Sequence, residues 1–60
     1  MTVNDLYLVL PDDQFVFIED NAQELKPYSG MADDIPLELF GKNVVEVESL
    51  DDSMIYIACE

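Results

Sequence analysis

Val44 to Cys59 reads V-V-E-V-E-S-L-D-D-S-M-I-Y-I-A-C. Two apolar runs flank an acidic turn at Asp51-Asp52, the pattern of a β-hairpin. Alternate residues of a strand share a face. The first run sets Val45 and Val47 against Glu46 and Glu48, so it is apolar on one side only. The second run is apolar on both sides, with Ile55, Ile57 and Cys59 on one and Met54, Tyr56 and Ala58 on the other. A two-residue loop at Asp51-Asp52 would put Glu46 opposite Ile57 and Glu48 opposite Ile55. A three-residue loop, Asp51 to Ser53, puts Val47 opposite Ile57 and Val45 opposite Cys59. It gathers the β-branched residues on one face and is the preferred register. The turn lacks the Gly or Asn that such loops favour at a left-handed position.

Met54–Cys59 has both faces to bury and belongs in the middle of a sheet. Val44–Glu48 belongs at an edge. Phe15–Ile18 is also apolar on both faces and reads as a second central strand. Asp20 to Gln23 reads as a hairpin loop, followed by a weaker strand over Glu24–Tyr28. Pro27 cannot donate to a ladder, so that strand goes to the other edge. Ser29-Gly30 closes the unit.

Two short helices complete the chain. Thr2 can cap the first, with Asp5 three residues on. Val3, Leu6 and Leu10 form its stripe, broadened by Tyr7 and Val9, and Pro11 ends it after about two turns. L-Y-L-V-L is also strand-like; the cap and the proline favour the helix. The second lies within Met31–Phe40. Asp33 or Asp34 can cap it, Pro36 sits in its first turn and Gly41 at its end. Ile35, Leu39 and Phe40 would face the sheet.

The expected fold is therefore a single α+β domain over residues 1–60, in the order α-β-β-α-β-β. It has a small four-stranded, mostly antiparallel sheet of two hairpins, with two short helices on one face. The helices cannot cover both faces. Some of Met54, Tyr56, Tyr28 and one of the pair Phe15 and Phe17 are left on an open face, and open apolar patches mark interfaces. The alternative is a curled sheet whose long side chains cover one another.

Charge narrows the chemistry. Fourteen Asp and Glu face two Lys, with no His and no Arg, for a net charge of −12. Such a surface disfavours direct contact with nucleic acid or an anionic membrane and suits a basic protein partner. The acid also serves solubility. Catalysis lacks its usual parts: no histidine base, no guanidinium clamp, and Ser29, Ser49 and Ser53 in turn-like contexts without a base. Cys59, the lone cysteine, sits among acids that raise a thiol pKa. No catalytic residue, cofactor or metal is expected. The acidic pairs at Asp12-Asp13, Glu19-Asp20, Asp33-Asp34 and Asp51-Asp52 do not follow an EF-hand, and zinc or iron sites lack ligands. The single cysteine, a start without a basic n-region and the lack of a long apolar run point to a cytoplasmic setting.

T-V-N-D-L near the start, L-P-D-D before the first strand, A-D-D-I-P-L-E-L before Gly41 and the closing V-V-E-V-E with M-I-Y-I-A resemble small acidic bacteriophage and prophage proteins. The resemblance covers most of the chain and rests on structural motifs. It implies an accessory protein that acts by binding, in the host bacterial cytoplasm, and carries over no site residues.

The expected function is a non-enzymatic acidic protein-binding module that occludes a basic surface, as an inhibitor of a host protein or a mimic of the phosphate track of DNA. The expected contact residues are Glu46, Glu48, Asp51, Asp52, Met54 and Tyr56. The alternative is a self-associating, dimeric domain whose acidity serves only solubility.

Overall fold

The computed structural model describes residues 1–51 and 53–60. Its sheet has four strands: β1 (Phe15–Asp20), β2 (Tyr28–Met31), β3 (Val44–Ser49) and β4 (Met54–Cys59). They lie in the order β2-β1-β4-β3. The two doubly apolar runs occupy the centre and the one-sided runs the edges, as strand parity requires.

The central pair is parallel, while both outer pairs are antiparallel. The sheet is thus mixed: two hairpins laid side by side in the same sense. Parallel neighbours need a crossover, and residues 32–43 provide it. They return across one face of the sheet, and that passage buries Ala32, Ile35 and Leu39. An antiparallel centre would need no such return, and these side chains would lose their cover.

The first helix, α1 (Val3–Tyr7), is capped as its sequence suggests. Asp5 N–H donates to Thr2 Oγ1 at 3.2 Å, and Thr2 N–H donates to Asp5 Oδ2 at 3.0 Å. This capping box holds the Asp5 carboxyl below its ordinary pKa, first through the Thr2 N–H and then through the Thr2 side chain. The helix is shorter than expected. Beyond Tyr7 the chain tightens into i→i−3 bonds, from Val9 N to Leu6 O and from Leu10 N to Tyr7 O, before Pro11. Val3, Leu6, Tyr7 and Leu10 pack on the core; Val9 faces solvent.

The second expected helix is split. Met31 ends β2, Ala32–Asp34 form one 3-10 turn, and α2 is the single turn Leu37–Phe40. Pro36 takes the N-cap position itself, and neither Asp33 nor Asp34 caps the helix. A proline restrains the residue before it from helical angles, which separates the two turns. Gly41 is the C-cap. Ile35 and Leu39 are buried as expected, and Phe40 packs beside them with its ring edge-on to Tyr7, 5.1 Å between centroids.

The second edge strand lies later in the chain than its composition suggests. Residues 24–27 belong to the connection, and β2 begins after Pro27, so Ser29 and Gly30 are strand residues. Proline's missing donor is accommodated by leaving it outside the ladder. Tyr28 lies opposite Ile18 and folds over Gly30: a Cβ at Gly30 would sit 2.6 Å from the Tyr28 hydroxyl. A side chain at residue 30 would force the Tyr28 ring to shift.

The hairpin register is that of the three-residue loop. Val47 is opposite Ile57, and Leu50 N–H donates to Met54 O at 3.0 Å. One expected pairing differs. A bulge at Val45 places Val44, not Val45, opposite Cys59. The extra residue loses its place on the core face, and Val45 is 48% exposed.

The core lies between the sheet and the helical segments. Val16, Ile18, Ile57 and Cys59 form its sheet side; Val3, Ala32, Ile35 and Leu39 form its other side. Both helices therefore cover the same face.

Candidate interaction face

The opposite face carries Phe15, Phe17, Met54 and Tyr56 on the central strands, and among the described residues no helix lies over it. Register fixes the neighbours. Phe15 pairs with Met54, and Phe17 with Tyr56. The Phe17 and Tyr56 rings are tilted, with centroids 6.0 Å apart. All four side chains are half-buried by leaning on one another. Met31, opposite Phe15, extends the strip towards β2.

Acids rim this strip. Glu48 is opposite Tyr56 and Glu46 opposite Ala58, so both project on the same side as the aromatic rings. Glu19, two residues beyond Phe17, joins them. The Tyr56 hydroxyl donates to Glu19 Oε1 at 3.0 Å. That bond, then partial burial, then the charges of Glu19, Glu46 and Glu48, push the Tyr56 phenol above its ordinary pKa. The face is thus an apolar strip bounded by carboxylates.

Of the expected contact residues, Glu46, Glu48, Met54 and Tyr56 come together here. Asp51 does not join them. Its Oδ1 accepts the N–H groups of Ser53 at 2.8 Å and Met54 at 3.0 Å, and the Ser53 hydroxyl at 3.1 Å. The Ser53 N–H above all holds its carboxyl below the ordinary range. Its work is to close the hairpin turn, a role an Asp side chain fills where Gly or Asn is missing. Asp52 lies outside the described residues. Tyr28, expected on the open face, is on the helix-covered side, and both Phe15 and Phe17 take the open side. The shift of β2 past Pro27 reverses the parity that would have exposed Tyr28. Glu19 was legible in F-V-F-I-E-D, where it shares parity with Phe15 and Phe17.

A second charged cluster lies at the ends of β1 and β4. Asp20 is fully buried, its side chain roofed by its own loop. Its Oδ1 accepts from Ala22 N–H at 3.0 Å, and its Oδ2 from Glu24 and Leu25 N–H at 3.2 and 3.1 Å. Lys42 Nζ lies 3.4 Å from Oδ2 and also donates to Glu24 Oε1. Burial alone would raise the Asp20 pKa; the Ala22 and Leu25 N–H groups and Lys42 more than offset it and hold it low. Both carboxylate oxygens are engaged, so Asp20 is an organiser of the loop rather than a free base.

Among the described residues, no three Asp, Glu or Cys side chains converge as a metal site, and no helix is long and apolar enough to cross a membrane. No family model, curated protein or solved structure matches the chain.

Proposed function

We propose that the chain is a non-enzymatic protein-binding module whose uncovered sheet face engages a basic partner and occludes it. The observation that carries this reading is the strip Phe15, Phe17, Met54 and Tyr56 bounded by Glu19, Glu46 and Glu48. Apolar area supplies affinity, and a carboxylate rim on a chain of net charge −12 supplies attraction for Lys and Arg and a faster encounter. Face-to-face self-association is the weaker reading. It would set the glutamates of both copies against each other, and like charges brought together oppose pairing.

Two surface variants test this. Tyr56→Ala removes part of the strip, and Glu46→Lys with Glu48→Lys reverses part of the rim. Immobilised wild type should retain a saturable protein partner whose binding falls with salt, and both variants should lose that same partner. A chain that retains no saturable partner at low salt overturns the reading, as does a partner indifferent to both variants. A dimer that persists at nanomolar concentration in sedimentation would favour self-association instead.

A further inference from the structure

The two edges of the sheet are not alike. At β2 the edge is short and blunted. Pro27 precedes it, and the Tyr28 hydroxyl donates to Met31 O at 2.7 Å, so a side chain already occupies the backbone there. Edges protected in this way resist strand pairing.

The edge at β3 is open over much of its length. In an antiparallel pair, residues bonded to the partner alternate with residues whose N–H and C=O face away. Leu50 N–H donates to Met54 O, and Asn43 and Glu60 exchange both bonds at 2.9 Å. Alternation from Leu50, with the bulge taking up the extra residue, turns Glu46 and Glu48 towards β4. It turns Val47 and Ser49 outward. Val44 also faces outward, and its N–H is taken by Met1 O at 2.7 Å. There the chain itself runs antiparallel along the edge, with Thr2 opposite Asn43 and Val3 N–H donating to Lys42 O at 2.9 Å. The start of this edge thus already holds an added stretch of strand. Among the described residues, nothing pairs with the outward groups of Val47 and Ser49.

Side chains along the same stretch define what fits. Glu46 and Glu48 stand on the open face. Val47 points to the helix-covered side, where the helices do not reach it, and it remains 48% exposed. A strand laid along this edge would meet acid on one face and an aliphatic surface on the other. A second copy of β3 would bring Glu against Glu. The acids therefore exclude self-pairing and admit a basic strand, so one feature serves both affinity and discrimination.

We propose that the β3 edge from Val45 to Ser49 takes up an extended basic segment of the partner protein as a fifth strand. Lys or Arg would lie against Glu46 and Glu48, and an apolar residue against Val47. This is recognition by strand addition: main-chain bonds hold the segment, and alternate side chains select it. The inference rests on the basic-partner reading above and adds a main-chain contact at the edge that borders the uncovered face, where Glu46 and Glu48 belong to both.

The test uses the full chain and two short synthetic peptides that alternate lysine with valine or threonine. They are identical except that one is N-methylated at every second residue, which removes edge donors and keeps the charge. Binding is followed by amide NMR at low and moderate salt. The unmodified peptide should shift the amides of Val47 and Ser49, and the methylated one should bind about tenfold more weakly, the worth of two backbone hydrogen bonds. Glu46→Gln with Glu48→Gln, both exposed positions, should keep the fold and weaken the unmodified peptide. Equal binding of the two peptides overturns strand addition and leaves a charge-only attraction to basic partners standing. Binding by neither peptide at low salt also overturns it, and the capture experiment then judges the broader reading separately.

Discussion

Lys42 Nζ lies 3.4 Å from Asp20 Oδ2, joining the segment just after α2 to the last residue of β1. Lys42 is one of only two cations in the chain, and it is committed to Asp20 and Glu24. Its pKa is raised, chiefly by the hydrogen bond it donates to Glu24, with burial opposing and Asp20 adding. The acid surface elsewhere thus has one fewer cation to offset it.

The sign of the pH dependence follows from Asp20. Its folded pKa is depressed, so its stabilisation is present above the unfolded value of about 3.9 and is lost as pH falls through the folded value. Asp20→Asn should melt lower than wild type at neutral pH, because an amide cannot accept the same three N–H groups. The gap should narrow as pH drops below the ordinary carboxylate range. Parallel melts of the two proteins across acid pH check it; a constant gap would mean that the charge plays no part. Lys42→Met should show the converse, with its deficit shrinking as pH rises through the raised lysine pKa.

Tyr56 should titrate above the ordinary tyrosine range because its hydroxyl donates a hydrogen bond to Glu19 and because Glu46 and Glu48 lie nearby. Glu19→Gln should lower that pKa, and added salt should lower it as well by screening the rim. The Tyr56 ring-carbon NMR shift, followed to alkaline pH, reads both. An unchanged pKa in the variant would place Glu19 away from the phenol in solution.

Cys59 should be inert while the chain is folded. It is buried on the central strand, and burial first, then Asp20, push its thiol pKa up, with Lys42 opposing. A disulfide reagent at neutral pH should modify it about a hundredfold or more slowly than in denaturant, as expected where reaction waits on unfolding of a domain with a few kcal/mol of stability. Rapid labelling would show that β4 frays at its end despite the paired bonds between Asn43 and Glu60.

The core leaves little margin. At about 0.05–0.15 kcal/mol per residue, a chain of 60 residues has about 3–9 kcal/mol in total. Ile57→Val should cost about 1 kcal/mol and remain folded, whereas Leu39→Ala should cost about 2–5 kcal/mol and leave a large unfolded fraction. Urea melts of both variants measure the difference. A mild Leu39→Ala would mean that the α2 turn collapses onto the space it leaves.

Much of the fold was legible in side-chain parity. Met54–Cys59 and Phe15–Ile18 are apolar on both faces, and that alone sends them to the middle of a sheet. Val44–Glu48, acid on one face, goes to an edge. The Thr2–Asp5 cap was legible because its bonds are local. The same parity placed Met54, Tyr56, Glu46 and Glu48 on one face, so four of the contact residues were within reach of the sequence.

Contacts between segments distant in the chain were not written there in the same way. The parallel alignment of β1 and β4 depends on the crossover burying Ala32, Ile35 and Leu39, which only the assembled sheet can reward. The bulge at Val45 depends on matching β3 both to β4 and to the N-terminal residues, a three-way fit that no single run encodes. Asp20 reads in the sequence as one of several acidic pairs. Its burial is decided by the loop that folds over it and by Lys42 arriving from the far side of α2. Local alternation determines which residues share a face, because it needs only the geometry of one strand. Direction, register slips and buried charge are decided by tertiary packing, because each depends on what a distant segment brings to it.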